Sequence, residues 1–280
     1  MSTRVEQLRL DGLGARGDEI RYEVAPESIR AYAEATDDPS PAALEGRIAT
    51  PLFAIVPVWE AIAPASRSIA TDEARKRVVH FSQDMLLRRS IEAGETLVST
   101  ATPAALLQRS SGTALVIHTE TWTPGGELAN EQWVTEFFRG IDTPESRGEQ
   151  PADHRLPDGV AATERVGEIV QEIAHDQPDR YAAASGDHFV IHLDDDAARA
   201  LGLPGRIVHG LCTLAFTVRA VCEAAGGGDP ARIAARFSAP VFPGDALTTR
   251  VWELRDRTYG FEASCTPDRT VIRDGLVVLR

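Results

Sequence analysis

The 280-residue chain is poor in sulfur, short of bases for its acids, and lacks any long unbroken apolar run. Its three cysteines, Cys212, Cys222 and Cys265, show no CxxC spacing and leave an odd count. Neither a disulfide framework nor a cysteine-bound zinc is indicated, and a reducing compartment, the cytoplasm, is the expected location. Lys and Arg number 29 against 42 Asp and Glu, a formal charge of −13. That balance argues against nucleic acid or an anionic membrane as the main partner. A phosphorylated ligand held by a local Arg cluster stays open, with Arg199, Arg206 and Arg236 as scattered candidates. Residues 1–7 lack the apolar run of a signal peptide. The most apolar segment, Ile48 to Ala65, is interrupted by Pro51, Pro57, Glu60 and Pro64 and reads as a buried helix, not a membrane span.

What the chain does have is a duplication. Tyr181-Ala-Ala-Ala-Ser-Gly-Asp-His-Phe-Val-Ile-His192 has a decayed copy in Tyr32-Ala-Glu-Ala-Thr-Asp-Asp-Pro-Ser-Pro-Ala-Ala43, 149 residues earlier. Gly205-Arg-Ile-Val-His-Gly210 matches Gly46-Arg-Ile-Ala-Thr-Pro51, and Arg89 to Leu97 matches Ala239 to Leu247. Asp38 and Asp187 occupy the same place in the two copies, but His192 faces Ala43 and Gly210 faces Pro51. One half has lost an imidazole and a backbone N–H together, since proline has none to give. The expected division is an N-terminal copy over 1–141, a Pro-, Gly- and charge-rich linker over 142–162, and a C-terminal copy over 163–280 that carries the chemistry.

Each copy repeats one order of elements. Ile29, Tyr32, Ala33 and Thr36 share one face of a short helix, whose counterpart starts near Pro178. A loop with the Asp follows, then a long apolar helix: Thr50-Pro51 through Ile62 in the first copy, Leu211 to Ala225 in the second. Gly226-Gly-Gly228 ends the second long helix and so is no phosphate cradle. Strands are expected over 77–87, 96–108, 114–123 and 131–139, and again over 232–239, 247–254, 259–265 and 270–279. Turns at Ser110-Ser-Gly112, Pro124-Gly-Gly126 and Arg273-Asp-Gly275 join them. Trp122, Trp133 and Trp252 fall in strand-like runs and read as sheet packing. The class is α+β, two copies of a helix wrapped by an antiparallel sheet.

Asp187 and His192 suit acid–base work: a near-neutral imidazole moves a proton and a carboxylate orients water. Gly186 and the β-branched Val190 and Ile191 favour a bend and an extended run. Gly210, opening the second long helix, offers an N–H with no intrahelical partner where the dipole favours negative charge. The absent side chain would let a carbonyl approach. His188 and His192 lie off a helix without a third ligand, so no metal site is expected. His209 reads as a structural or pocket-lining neighbour, and Asp194-Asp-Asp196 as the start of a short helix through Leu201.

Tyr181, Ser185, Gly186, Asp187, Ile191, His192 and Ala198, with Gly205 to Thr213 downstream, resemble the MaoC-like dehydratases, the (R)-specific enoyl-CoA hydratases called hydratase 2. The resemblance is strongest over 181–222. It implies a double hot-dog whose N-terminal half is catalytically empty and makes room for a bulky acyl chain. It implies that Asp187 and His192 activate water for addition to a trans-2-enoyl thioester, with Gly210 N–H holding the enolate oxygen. The reverse reaction dehydrates an (R)-3-hydroxyacyl thioester. No redox or metal cofactor is implied beyond coenzyme A or acyl carrier protein as part of the substrate. A homodimer or a heteromeric partner is compatible with the exposed sheet edges. The family's Asn-Pro is Phe189-Val190 here. That departure leaves open a non-catalytic acyl-thioester-binding subunit, or thioester hydrolysis or conjugate addition on the same scaffold.

Overall fold

Proline at a first helical position and an apolar face of Ile29, Tyr32 and Ala33 produce helix α1 (Pro26–Ala35). The same device recurs in α5 (Gln177–Ser185), which buries Tyr181 and Ala182. The computed structural model describes residues 8–143, 145–149, 151–266 and 269–280. Residues 1–7, read above as lacking a signal-peptide run, lie outside the described residues.

The first half runs β1 (Ile20–Glu23), α1, α2 (Pro41–Leu44), a 3-10 segment (Pro51–Val58), α3 (Trp59–Ile69), α4 (Asp72–Arg75), β2 (Val78–Leu87), β3 (Thr96–Arg109), β4 (Gly112–Trp122) and β5 (Leu128–Arg139). A two-residue strand, β6 (Arg147–Gly148), follows on the connecting segment. The second half runs β7 (Gly167–Glu172), α5, α6 (Asp195–Ala200), α7 (Gly210–Ala224), β8 (Pro230–Phe237), β9 (Ala246–Arg255), β10 (Thr258–Thr266) and β11 (Arg269–Leu279). The strands form one antiparallel sheet in the order β1-β3-β4-β5-β2-β8-β11-β10-β9-β7, with β6 beside β3. Each half contributes the same five-strand order, and α3 and α7 pack on the strands of their own halves. This is the α+β double hot-dog architecture.

The halves join through equivalent strands, β2 and β8. Asp84 pairs with Ala234, 150 residues later, and the neighbouring pairs step away symmetrically from that point. A pseudo-twofold axis therefore passes between the two residues. One apolar cluster runs through both halves, including Phe53, Ile55, Leu115 and Phe138 from the first and Leu214, Phe216, Phe261 and Val277 from the second. The connecting segment crosses the outer face of the sheet. Arg147 and Gly148 pair with β3, and His154 Nδ1 donates to the Asp274 carbonyl at 2.7 Å.

Three sequence expectations are corrected, on strand number, helix type and one turn, while the reading of the apolar stretch as buried stands. Each half has a fifth strand, since β1 and β7 add at the outer edges. The first long helix is 3-10 up to Val58, because Pro57 lacks the N–H an α-helix would use and its ring opposes the carbonyl four residues back. The stretch Pro51–Ile69 is long and apolar enough to cross a membrane by length and composition, yet 67% of its most apolar window is buried in the core. Arg273-Asp-Gly275 is no turn between strands but an irregularity inside β11, where the register shifts between Arg273 and Leu276. There Asp274 takes φ 54°, and a Cβ on Gly275 would sit 2.6 Å from the Phe261 ring.

Candidate active site

Helix α5 ends on Gly186 in the left-handed conformation (φ 80°), a C-cap that glycine adopts without strain. Trp59 of the first half packs near it, 3.7 Å from where a Cβ would be. The chain then makes a tight polar turn. The Asp187 N–H donates to Ser185 Oγ at 3.2 Å, and Asp187 Oδ1 accepts the Phe189 N–H at 3.1 Å. Val190–His192 forms one turn of 3-10 helix, not the extended run expected from its β-branched residues. The His192 N–H donates to the Phe189 carbonyl at 3.0 Å, so local hydrogen bonding overrides propensity. The turn buries His192 at 8% exposure and leaves Phe189 and Val190 on the rim, at 42% and 44%.

The imidazoles have defined tautomers. His192 Nδ1 lies 2.9 Å from the Ile207 carbonyl, which can only accept, so Nδ1 carries the hydrogen and Nε2 keeps its lone pair. His209 Nε2 donates to the Asp187 carbonyl at 3.0 Å by the same reasoning. Its Nδ1 is then an acceptor, and it is buried without a partner. The His192 and His209 rings stack at 3.8 Å and 24°, and the Tyr181 ring meets His209 at 4.8 Å and 45°. His209, expected as a structural or pocket-lining neighbour, touches both: it hydrogen bonds the Asp187 carbonyl and stacks on His192. Ligand-capable atoms of Asp187, His192 and His209 lie within 4.8 Å of one another. The third group beside the pair is thus His209, while His188 stays outside the cluster.

Burial governs the electrostatics. It raises the Asp187 carboxyl above the usual range, opposed by the nearby His192 charge, and lowers His192, opposed by Asp187. His209 is pushed down to about 3, first by burial and then by the His192 charge, so it is neutral at pH 7. The site therefore holds a neutral imidazole base beside a carboxyl of raised affinity for protons. One group can take a proton while its neighbour returns one.

Gly210 opens α7 directly after His209, its N-cap residue. The first N–H groups of that helix have no intrahelical acceptor and sit at its positive end. The space a side chain on Gly210 would fill is taken: an ideal Cβ would lie 3.2 to 3.4 Å from three ring carbons of Phe237. Glycine here makes way for Phe237 as well as for any ligand.

The first half keeps the scaffold without the imidazoles. Asp38 Oδ1 accepts the Ser40 N–H at 2.9 Å, the same turn bond that Asp187 makes to Phe189. Both carboxylates thus serve the turn, whatever else Asp187 does. A cavity of about 950 Å³ occupies the matching region, lined by Asp38, Thr50, Pro51, Leu87, Asn130 and the Val218 face of α7. None of Asp187, His192 and Gly210 lines it. The three Arg residues considered for phosphate are each on a carboxylate: Arg199 on Asp196, Arg206 on Asp179, Arg236 on Asp274. Asp194 caps α6 by accepting the Ala197 N–H at 2.7 Å, as expected.

Residues 156–272 match the MaoC-like domain, and residues 12–131 match a FAS1-like dehydratase domain region. The chain is 28% identical over 185 residues to "Enoyl-CoA hydratase 2, peroxisomal" of Arabidopsis thaliana, covering 62% of this chain and 60% of that protein. It is 32% identical over 213 residues to "3-hydroxyacyl-thioester dehydratase Y" of Mycobacterium tuberculosis, covering 71% and 72% respectively. Among solved structures, a MaoC-like dehydratase from Phytophthora capsici superposes with a TM-score of 0.81 at 20% identity, over 97% of this chain and 99% of that one. With both halves matched by dehydratase models and the double hot-dog carried throughout, the chain belongs to the MaoC-like dehydratase family.

Proposed function

We propose that this chain is a hydro-lyase that adds water to a trans-2-enoyl thioester, and in reverse dehydrates the (R)-3-hydroxyacyl thioester. The observation that supports this reading is the cluster of Asp187, His192 and His209, with a fixed tautomer on His192 and with Gly210 opening α7 directly after His209. His192 Nε2 removes a proton from water held against Asp187, and the hydroxide adds to C3. Gly210 N–H takes the charge that develops on the thioester oxygen, and the proton returns to C2 on the same face. Loss of one such oxyanion donor typically lowers the rate by about 10²–10³-fold. Water addition involves no net oxidation, so the step calls for no redox cofactor.

The division of labour is part of the proposal: the half over 163–280 does the chemistry, the half over 1–141 receives the bulk of the acyl group, and 142–162 connects them. The cavity beside the first half supports this assignment through its apolar patch of Leu52, Ala54, Leu87 and Ile91. Its rim carries charged groups from both halves, among them Asp38, Arg89, Arg219 and Glu223. Cys212, Cys222 and Cys265 are free thiols, which agrees with a reducing compartment such as the cytoplasm. The exposed edges β1 and β7 are where a second copy or a partner would add.

The test is a panel of trans-2-enoyl thioesters on coenzyme A and on acyl carrier protein, read by mass gain of one water and by product chirality. Asp187→Asn and His192→Ala should each lower turnover by roughly 10²–10⁴-fold. Turnover close to the parent in both variants refutes the assignment. Release of free thiol would point to hydrolysis, and tight binding without turnover to a binding subunit.

A further inference from the structure

The last residues of the two equivalent strands β2 and β8 are Leu87 and Phe237, 150 residues apart. The Asp84–Ala234 pairing fixes this equivalence independently of any sequence match. Leu87 and Pro51 line the open cavity of the first half. In the second half the corresponding pair is Phe237 and Gly210, and there the ring fills the space beside the glycine. Phe237 is held in place by His80, whose ring meets it edge-on at 4.8 Å. His80 is itself hydrogen bonded to Gln83 Oε1 at 3.1 Å.

We infer that Phe237 is the residue that sets the shape of acyl group admitted at the reacting carbons, an inference resting on the hydro-lyase reading. If Gly210 N–H holds the thioester oxygen, C1 and C2 of the acyl group lie beside Gly210. The Phe237 ring, 3.2 to 3.4 Å from the Gly210 Cβ position, then borders the space open to a substituent on C2. The site accepts an unbranched C2 and rejects a C2 methyl, whereas a leucine there, as in the first half, would leave room. One added methyl against an apolar wall changes discrimination by about 10–200-fold.

The experiment compares kcat/KM for a straight trans-2-enoyl coenzyme A thioester and its 2-methyl counterpart in the parent protein, F237L and F237W, with thermal unfolding of each. The parent should favour the straight substrate. F237L should raise the ratio of branched to straight by about 10-fold, and F237W should lower it. Opposite shifts from the two substitutions could not come from misfolding. An unchanged ratio in both variants, with the parent active on the straight substrate, overturns the role of Phe237 and leaves the hydro-lyase reading intact. A parent inactive on both thioesters overturns the two together.

Discussion

The hydroxyls of Tyr32 and Tyr181, equivalent residues of the two copies, meet at 3.2 Å, with their rings edge-on at 5.6 Å. Tyr32 is also 3.1 Å from the Leu52 carbonyl. Because that oxygen can only accept, Tyr32 donates to it and receives the hydrogen of Tyr181. The pair is fully sealed, at 0% and 1% exposure. The two equivalent tyrosines thus form a directional internal chain, with the Tyr181 ring 4.8 Å from that of His209 in the candidate site.

The direction of that chain predicts unequal effects. Tyr32→Phe removes both of its bonds and leaves the Tyr181 hydroxyl buried without an acceptor, which should cost about 1–3 kcal/mol. Tyr181→Phe removes a donor and leaves only a lone pair on Tyr32, about 1 kcal/mol. The double variant should cost less than the sum of the two, because it removes the stranded hydroxyl as well. Urea midpoints of the three variants measure this; equal single effects that add would contradict the assigned direction.

His209 predicts the acid limb of stability. Its folded pKa of about 3 lies below its ordinary value of 6.5, so between these values the unfolded chain binds a proton that the folded chain does not. Stability from this group is complete above about pH 6.5 and is lost as pH falls toward 3, at up to about 1.4 kcal/mol per pH unit. Asp187 and Glu136, whose pKa values burial raises, act in the opposite sense at the low end of the range. His209→Gln should flatten the fall in urea midpoint between pH 6.5 and pH 4.5. A variant that loses stability with acid as steeply as the parent would show that His209 does not titrate as its surroundings require.

The strands of both meanders were legible because apolar alternation and Gly turns mark them, and their ends fall within three residues of expectation. β1 and β7 escaped because they are short, half-exposed edge strands whose partners lie far along the chain. The closeness of Asp187 and His192, which the fold brings into one cluster, was anticipated from the short loop that carries them. His209 was legible as a structural or pocket-lining neighbour, but its stacking on His192 was not, because a sequence gives no orientation for an imidazole. The only hint was its place directly before the helix-opening glycine. The match of Arg89–Leu97 to Ala239–Leu247 already sets Phe237 opposite Leu87, but the contact of its ring with Gly210 emerges only from packing.

Leu87→Phe tests where the acyl tail goes. Leu87 is 7% exposed and lines the first-half cavity together with Thr50 Oγ1 and Asn130 Nδ2, both buried without a partner. A phenyl ring there copies the closed state of the second half. Hydration of long-chain enoyl thioesters should fall by about 10-fold or more in kcat/KM, with the butenoyl thioester changed by less than about twofold. Equal losses on both chain lengths would separate this cavity from the acyl path.

The final prediction concerns the seam between the halves. Arg232 binds Asp84 through two hydrogen bonds, Nε to Oδ1 at 3.0 Å and Nη2 to Oδ2 at 2.7 Å. Arg232 stands opposite Leu86 in the ladder, so the pair runs diagonally across β2 and β8 beside the pseudo-twofold axis. The carboxylate is nearly sealed at 6% side-chain exposure, while the guanidinium retains 22%. That asymmetry makes the two truncations unequal. Arg232→Ala leaves a buried anion without its partner and should cost about 3–5 kcal/mol, the range for breaking a buried pair. Asp84→Ala leaves a cation that still reaches water, and should cost less, about 2 kcal/mol after allowing for that exposure. The double substitution Asp84→Leu with Arg232→Met should recover much of the loss, because two apolar side chains need no partner. Urea unfolding of the three variants decides it: if Asp84→Ala is the more damaging single change, the carboxylate is not the group whose burial controls the seam.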